Sequence, residues 1–317
     1  MSKSGIRERV VIDTDAGIDD AMALFLALRS PELEIVGITS VFGNSTVMDT
    51  TRNVLAVLRT AGRLDIPVSV GAHCSLAEEK EPRGALFHGR DGLAGCSEKF
   101  YPDPLQLTGK TAAQYIHDTV MADPGQVSLV ALGPLTNIAL ALRLWPDLKG
   151  KIKRIVALGG ALGIPGNATP VAEANLYDDP LAAWIVLGAG IDTTLIGLNC
   201  TTQVVMTPQY VRQLGSVDSP ETRFIQAVIG YYQQAYAHIH GMGGAVYCHD
   251  ATLIGYLVKP EIFSTETVPV WVELAGRNQG MLVADRKKQW ADSQLAHIGV
   301  GIDAAAMLDL YLERMTR

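Results

Sequence analysis

Short β-branched runs alternate with helix-forming stretches through the first two thirds of the chain, and this alternation limits the fold more than any other feature. Residues 10–13, 34–39, 68–70, 128–132, 154–158 and 193–198 read as buried strands. Between them, residues 20–29, 48–61, 110–122, 135–144 and 180–188 carry helical spacing and good helix formers. Strand–helix–strand units need crossover connections, so they imply a mostly parallel sheet with helices on its faces. Ligands in such sheets bind beyond the carboxyl ends of the strands. The expected fold class is therefore α/β, a mostly parallel, open, twisted sheet flanked by helices.

The last third changes texture. Residues 222–240 read as one long helix rich in aromatics, followed by the turn Gly241-Met-Gly-Gly and a shorter helix near 249–257. Residues 268–273 and 282–284 alternate like a hairpin, 294–300 suit a further strand, and a closing helix starts near Ala304. No repeat or long polar linker interrupts the 317 residues, so one domain over 1–317 is expected. With 48% apolar and 19% charged residues, the chain can bury a core and is not a solvating tail. A net charge of −7 gives no basic face for nucleic acid or an anionic membrane, and neither partner is expected. Residues 1–9 lack the apolar core of a secretory signal, and no apolar stretch reaches membrane-spanning length. Cys74, Cys96, Cys200 and Cys248 form no Cys-x-x-Cys pair, which favours reduced thiols over zinc or dithiol chemistry. A cytoplasmic enzyme is the expectation.

The chemistry concentrates where the first strand ends, at Val11-Ile-Asp13-Thr-Asp15-Ala-Gly17-Ile-Asp19-Asp20. Residues two apart in a strand point the same way, so Asp13 and Asp15 can face one point beyond it. Gly17 permits a tight turn, and Asp19 and Asp20 open a helix whose free N–H groups favour carboxylates. One of these aspartates alone could be only a helix cap. Four so close repel one another and need protons, donors or a cation. All-oxygen ligation selects a hard ion, Ca²⁺ or Mg²⁺. An EF-hand is excluded, because counting from Asp13 its fifth and twelfth positions are Gly17 and Leu24. An Mg²⁺-dependent phosphatase of the haloacid dehalogenase type also begins with Asp-x-Asp after a strand and stands as the alternative. The second pair, Asp19-Asp20, and the absence of a clear lysine site count against it.

The segment Asp13-Thr-Asp-Ala-Gly-Ile-Asp-Asp-Ala resembles the signature of the inosine–uridine preferring nucleoside hydrolases. Further blocks of similar type follow in order: Val41-Phe-Gly-Asn44, His88-Gly-Arg-Asp91, Leu132-Gly-Pro-Leu-Thr-Asn137, Leu158-Gly-Gly, Asn167 through Glu173-Ala-Asn175, and His249-Asp250. The resemblance spans nearly the whole chain. It implies Ca²⁺-dependent hydrolysis of the N-glycosidic bond of ribonucleosides to free base and ribose. Its implied ion ligands are Asp15, Asp20, the carbonyl of Leu132, and Asp250, with Asp13 and Asp19 behind them. Asp15 would also be the general base, which suits a carboxylate beside a cation and a water.

The same resemblance implies that Asn44, Asn167, Glu173, Asn175 and Asp250 bind the substrate. Their amides and carboxylates suit sugar hydroxyls and an oxocarbenium-like state. It implies that His249 protonates the departing base and His88 shapes the base pocket, a task suited to imidazole. Taken singly, each histidine, and Asn167 as a turn residue, has a purely structural reading. Tyr232 and Tyr236 lie four apart on one face of the long helix, where they can stack on a base or fill the core. Leu158, Ala174 and Cys248 depart from the family's usual Met, Phe and Leu or Val, which leaves base preference open. Family analogy implies a homodimer or homotetramer. A calcium-stabilised binding protein without turnover is the remaining competing class.

Overall fold

The six apolar runs become six neighbouring strands: β1 (Glu8–Thr14), β2 (Leu33–Ser40), β3 (Val68–Ser69), β4 (Val127–Ala131), β5 (Ile155–Leu158) and β6 (Thr193–Ile196). The structure is a computed structural model and describes residues 7–100 and 106–316. A two-stranded antiparallel ribbon follows, β7 (Val205–Met206) with β8 (Val246–Tyr247). Strands β9 (Phe263–Val272), β10 (Leu282–Ala284) and β11 (Gln294–Ile302) complete a nine-stranded sheet of order β10-β9-β11-β6-β5-β4-β1-β2-β3. Within this sheet β9 is antiparallel to β10 and β11, and every other pairing is parallel. The α/β expectation holds, including the late hairpin.

Side-chain alternation along the strands builds one core on each face. Val10 and Ile12 join Leu24 and Phe25 in one cluster, while Val11 joins Leu129 and Ile138 in the other. Each such residue, 1% exposed or less, adds about 1.5–3 kcal/mol relative to an exposed position. The helix Ile18–Leu28 is buried from Ile18 through Ala27, which is why its sequence is apolar on every face after Asp20. The long helix Pro220–His240 starts at Ser219, whose hydroxyl accepts from the Thr222 N–H, and stops at Gly241, at φ 65°.

The chain runs from β1 outward through β2 to β3, then returns to place β4 on the other side of β1. Connections therefore diverge between β1 and β4, and a crevice opens at their carboxyl ends. The acidic segment leaves β1 at that crevice. Among the described residues, no helix is long and apolar enough to cross a membrane. The segment after β5 ends in a short helix, Ala174–Asp178, which the sequence pattern does not predict. Helices at Ala85–His88 and Leu198–Thr201 were also not expected. Elements this short carry no periodicity and depend on their caps and neighbours.

Candidate active site

Strand β1 delivers its carboxylates in layers. Asp13, 1% exposed, stays within the end of the sheet, where its Oδ1 accepts from Asn137 Nδ2 at 2.7 Å and from the Thr39 hydroxyl. Its Oδ2 has no hydrogen-bond partner among the described residues, and burial raises its pKa to about 7. Asp15 lies one step further out and lines a cavity of about 650 Å³. Its Oδ2 accepts from the Asn44 backbone N–H at 2.9 Å. A Cβ at Gly43 would come within 2.2 Å of that oxygen, and one at Gly133 within 2.8 Å of Oδ1. Glycines in these two motifs therefore leave room for the Asp15 carboxylate.

The turn after β1 folds around Asp20. Its Oδ2 accepts from the Gly17 N–H at 2.8 Å and from Asn44 Nδ2 at 3.0 Å, and its Oδ1 accepts from Thr14 Oγ1 at 2.5 Å. Asp19, the next residue back, faces the cavity and accepts from the Tyr232 hydroxyl at 2.9 Å. Asp250 arrives from the other end of the chain, in the first turn of the helix His249–Val258. Carboxylate oxygens of Asp19, Asp20 and Asp250 all lie within 4.8 Å of one another. Burial, and then neighbouring carboxylates, raise the pKa of Asp15 and Asp250, and bring Asp20 to about 6. Asp19 lies close enough to Asp250 to push its pKa up, a repulsion that a proton or a cation relieves. An all-oxygen cluster with this much unbalanced charge fits a hard divalent ion. Asp19, expected behind the ligands, is one of the three oxygen donors brought together.

The second wall comes from β4, β5 and the loop before Ala174–Asp178. Leu132 lines the cavity just past β4, and its carbonyl accepts from Asn175 Nδ2 at 2.6 Å. The same amide donates to the Leu158 carbonyl at 3.1 Å. Glu173 caps the short helix, accepting from the N–H groups of Asn175 at 2.9 Å, Leu176 at 3.2 Å and Gly160 at 3.1 Å. Its burial raises the pKa to about 7. Asn167 is exposed at the rim, and its Oδ1 accepts from the Ala174 N–H at 2.9 Å, so it serves as a turn residue while lining the cavity.

The third wall is aromatic. Tyr232 and Tyr236 face inward as their four-residue spacing predicted, with hydroxyls 3.3 Å apart. Tyr231 faces out, 41% exposed. His249 is 8% exposed, with Nδ1 2.7 Å from Thr201 Oγ1 and Nε2 3.1 Å from the Tyr236 hydroxyl. Burial lowers its pKa to about 4. His88 packs on Tyr232, and its Nδ1 accepts from the Ile18 N–H at 3.1 Å, which fixes the neutral tautomer with hydrogen on Nε2. His240, at the end of the long helix, stacks on Phe87 and lines the cavity.

Sequence reasoning missed Thr201, Phe87, Tyr247, Arg83 and Asp178, which partner or line the site. The pair Asp178-Asp179 held a usable signal. Asp179 is the cap of the helix Pro180–Leu187, accepting from the Ala182 N–H at 3.0 Å, so only one of the two is explained by capping.

A switch-point pocket with a carboxylate floor, an amide-and-carboxylate wall and an aromatic wall defines an enzyme for a small polyhydroxylated ligand carrying a flat ring. The family model of the inosine-uridine preferring nucleoside hydrolases matches residues 10–309. A probable uridine nucleosidase of Arabidopsis thaliana is 35% identical, with 98% of each chain covered. An inosine-uridine preferring nucleoside hydrolase of Leishmania major is 34% identical, again with 98% of each covered. The solved structure of a plant nucleoside hydrolase superposes with a TM-score of 0.92 at 36% identity, covering 98% of this chain and 99% of that one. The chain belongs to the inosine-uridine preferring nucleoside hydrolase family, enzymes that hydrolyse the N-glycosidic bond of ribonucleosides. The phosphatase alternative finds no support in these matches.

Proposed function

We propose that this hydrolase works with one Ca²⁺ ion and uses Asp15 as general base and His249 as general acid. Asp15, Asp20, Asp250 and the Leu132 carbonyl would hold the ion, with Asp19 close enough to share in it and Asp13 fixing the strand end behind. When bound, the ion supplies positive charge that favours deprotonation of a water and holds a vicinal diol. The observation that carries this reading is the meeting of Asp19 and Asp20 with Asp250, residues from opposite ends of the chain, in one cluster of buried oxygens.

The chain's own groups then divide the work. Asp15 takes a proton from the attacking water as the C1′–N bond lengthens. Its raised pKa in the free pocket reflects burial and crowding, which a cation relieves. Asn44, Asn167, Glu173 and Asn175 hold the ribose hydroxyls, and their fixed oxygens stabilise positive charge developing on the ring. Tyr232, Tyr236 and His88 enclose the base. His249, neutral in the free pocket because burial lowers its pKa to about 4, passes a proton to the base nitrogen as the bond breaks and draws a replacement through its hydrogen-bonded run with Thr201 and Tyr236.

Uridine and inosine head the substrates to test, since the relatives' names specify them. Free ribose and free base should appear in equal amounts, without phosphate in the reaction. Chelation should abolish turnover and added Ca²⁺ should restore it. Full activity in a demonstrably metal-free sample would end the calcium reading.

A further inference from the structure

We infer that Asp178, which lines the cavity from the helix that Glu173 caps, sets specificity at the 5′ end of the substrate by masking Arg83, so that ribonucleosides enter and their 5′-phosphates do not. The inference rests on the ribonucleoside reading above and extends it to a residue with no part in that chemistry.

Ribose geometry gives the direction. If the 2′,3′-diol meets the carboxylate floor and C1′ faces the aromatic wall, C4′ and its 5′ substituent lie across the ring. That is the wall holding Asn167, Glu173, Asp178 and Arg83. Asp178 ends the helix Ala174–Asp178 and is 8% exposed, with its remaining surface in the cavity lining. Among the described residues, its carboxylate accepts no hydrogen bond and makes no ion pair within contact distance. Its charge reaches the site, since it raises the pKa of both Asp15 and Glu173. Burial pushes the Asp178 carboxyl up to about 6, while Arg83 and Lys80 pull it down. It is therefore mainly ionised at neutral pH.

The two cations are anchored beside it by other bonds. Lys80 Nζ donates to the carbonyls of Tyr177 at 2.8 Å and Asp178 at 3.3 Å and lies 3.1 Å from Glu78 Oε1. Arg83 donates to the Ala168 carbonyl at 3.0 Å, and its guanidinium sits 4.5 Å from the centre of the Tyr177 ring. Arg83 thus stands at the rim in a fixed pose, with donors left over and a planar fork suited to phosphate. A free carboxylate beside it cancels its attraction for a dianion, and Glu173 adds repulsion. A 5′-hydroxyl or 5′-ammonium group meets acceptors at the same place. Among similar ligands, a wall built to accept hydrogen bonds penalises one that cannot donate them.

The experiment compares turnover of uridine, or whichever ribonucleoside the protein cleaves best, with turnover of its 5′-monophosphate in the calcium-loaded enzyme. Asp178→Asn should raise the ratio of kcat/KM for the phosphate over the nucleoside at least tenfold. Adding Arg83→Ala in that background should remove the gain. An unchanged ratio, or a gain that survives loss of Arg83, overturns the inference. Unaltered protein gives a second readout that no folding defect can blur. The 5′-amino-5′-deoxy and 5′-hydroxy ribonucleosides should bind more tightly than the 5′-deoxy analogue, and all three more tightly than the 5′-phosphate. The phosphate binding as well as the nucleoside would overturn the inference. A protein that cleaves no ribonucleoside would instead defeat the functional reading itself, which keeps the two failures apart.

Discussion

The floor of the pocket and its aromatic wall are built by different physics. The floor is the end of the sheet itself. Asp13, Asp15 and Asp20 are fixed by hydrogen bonds to Thr39, Asn137, Asn44, Thr14 and the Gly17 N–H, most of them in or next to parallel strands. The wall is assembled from one face of a long helix, two short helices and a ribbon. Its links are side chain to side chain, such as Tyr232 to Asp19 and His249 to Tyr236. The contrast teaches that the part of the proposed chemistry every substrate would share, at the carboxylate floor, sits on the most constrained backbone. The part that must adapt to different bases sits on side chains that can repack with little cost to the fold.

Four substitutions can break or sharpen that contrast. The largest effect should come from Asp15→Asn, which removes the proposed base while keeping shape. Turnover should fall by about 10³-fold for every base. A loss confined to some bases would move Asp15 out of the shared chemistry. Next, His249→Ala should cost about 10²-fold on natural ribonucleosides and much less on a riboside with an activated phenolate leaving group. Equal losses on both would remove its acid role. The smallest effect concerns stability. Asn137→Ala deletes the amide that donates to Asp13 and to the Ser40 carbonyl and should lower unfolding free energy by about 1–3 kcal/mol. Tyr236→Phe on the wall should cost less, about 1 kcal/mol, because it keeps the ring while Tyr232 stays bonded to Asp19 and His249 to Thr201. If thermal melts ranked these two the other way, the floor would not be the stiffer region.

The floor was also the more legible region. A strand of Val10-Val11-Ile12 running into aspartates at alternate positions carries its geometry in local order, and the structure places those carboxylates at the switch point. Asp250 was readable only through the resemblance, because nothing local to residues 249–258 distinguishes an ion ligand from a helix-opening aspartate. Tyr232 was legible as a helix face but not as a donor to Asp19, a contact spanning 213 residues. Thr201 was illegible because its helix, at Leu198–Thr201, is too short to have a period, and Asp178, on the equally short helix Ala174–Asp178, showed only as half of an acidic pair. Glu173 was read as a sugar ligand, and the structure adds that it also caps the helix which carries Asp178.

The claim most exposed to test is that two distant segments share one cation. Calorimetric titration of metal-free protein with Ca²⁺ measures it directly, comparing the unaltered chain with Asp250→Ala. The account predicts one ion per chain and an affinity weakened by at least about 10²-fold when Asp250 loses its carboxylate. Equal Ca²⁺ affinity in the two proteins, with both folded, would contradict it.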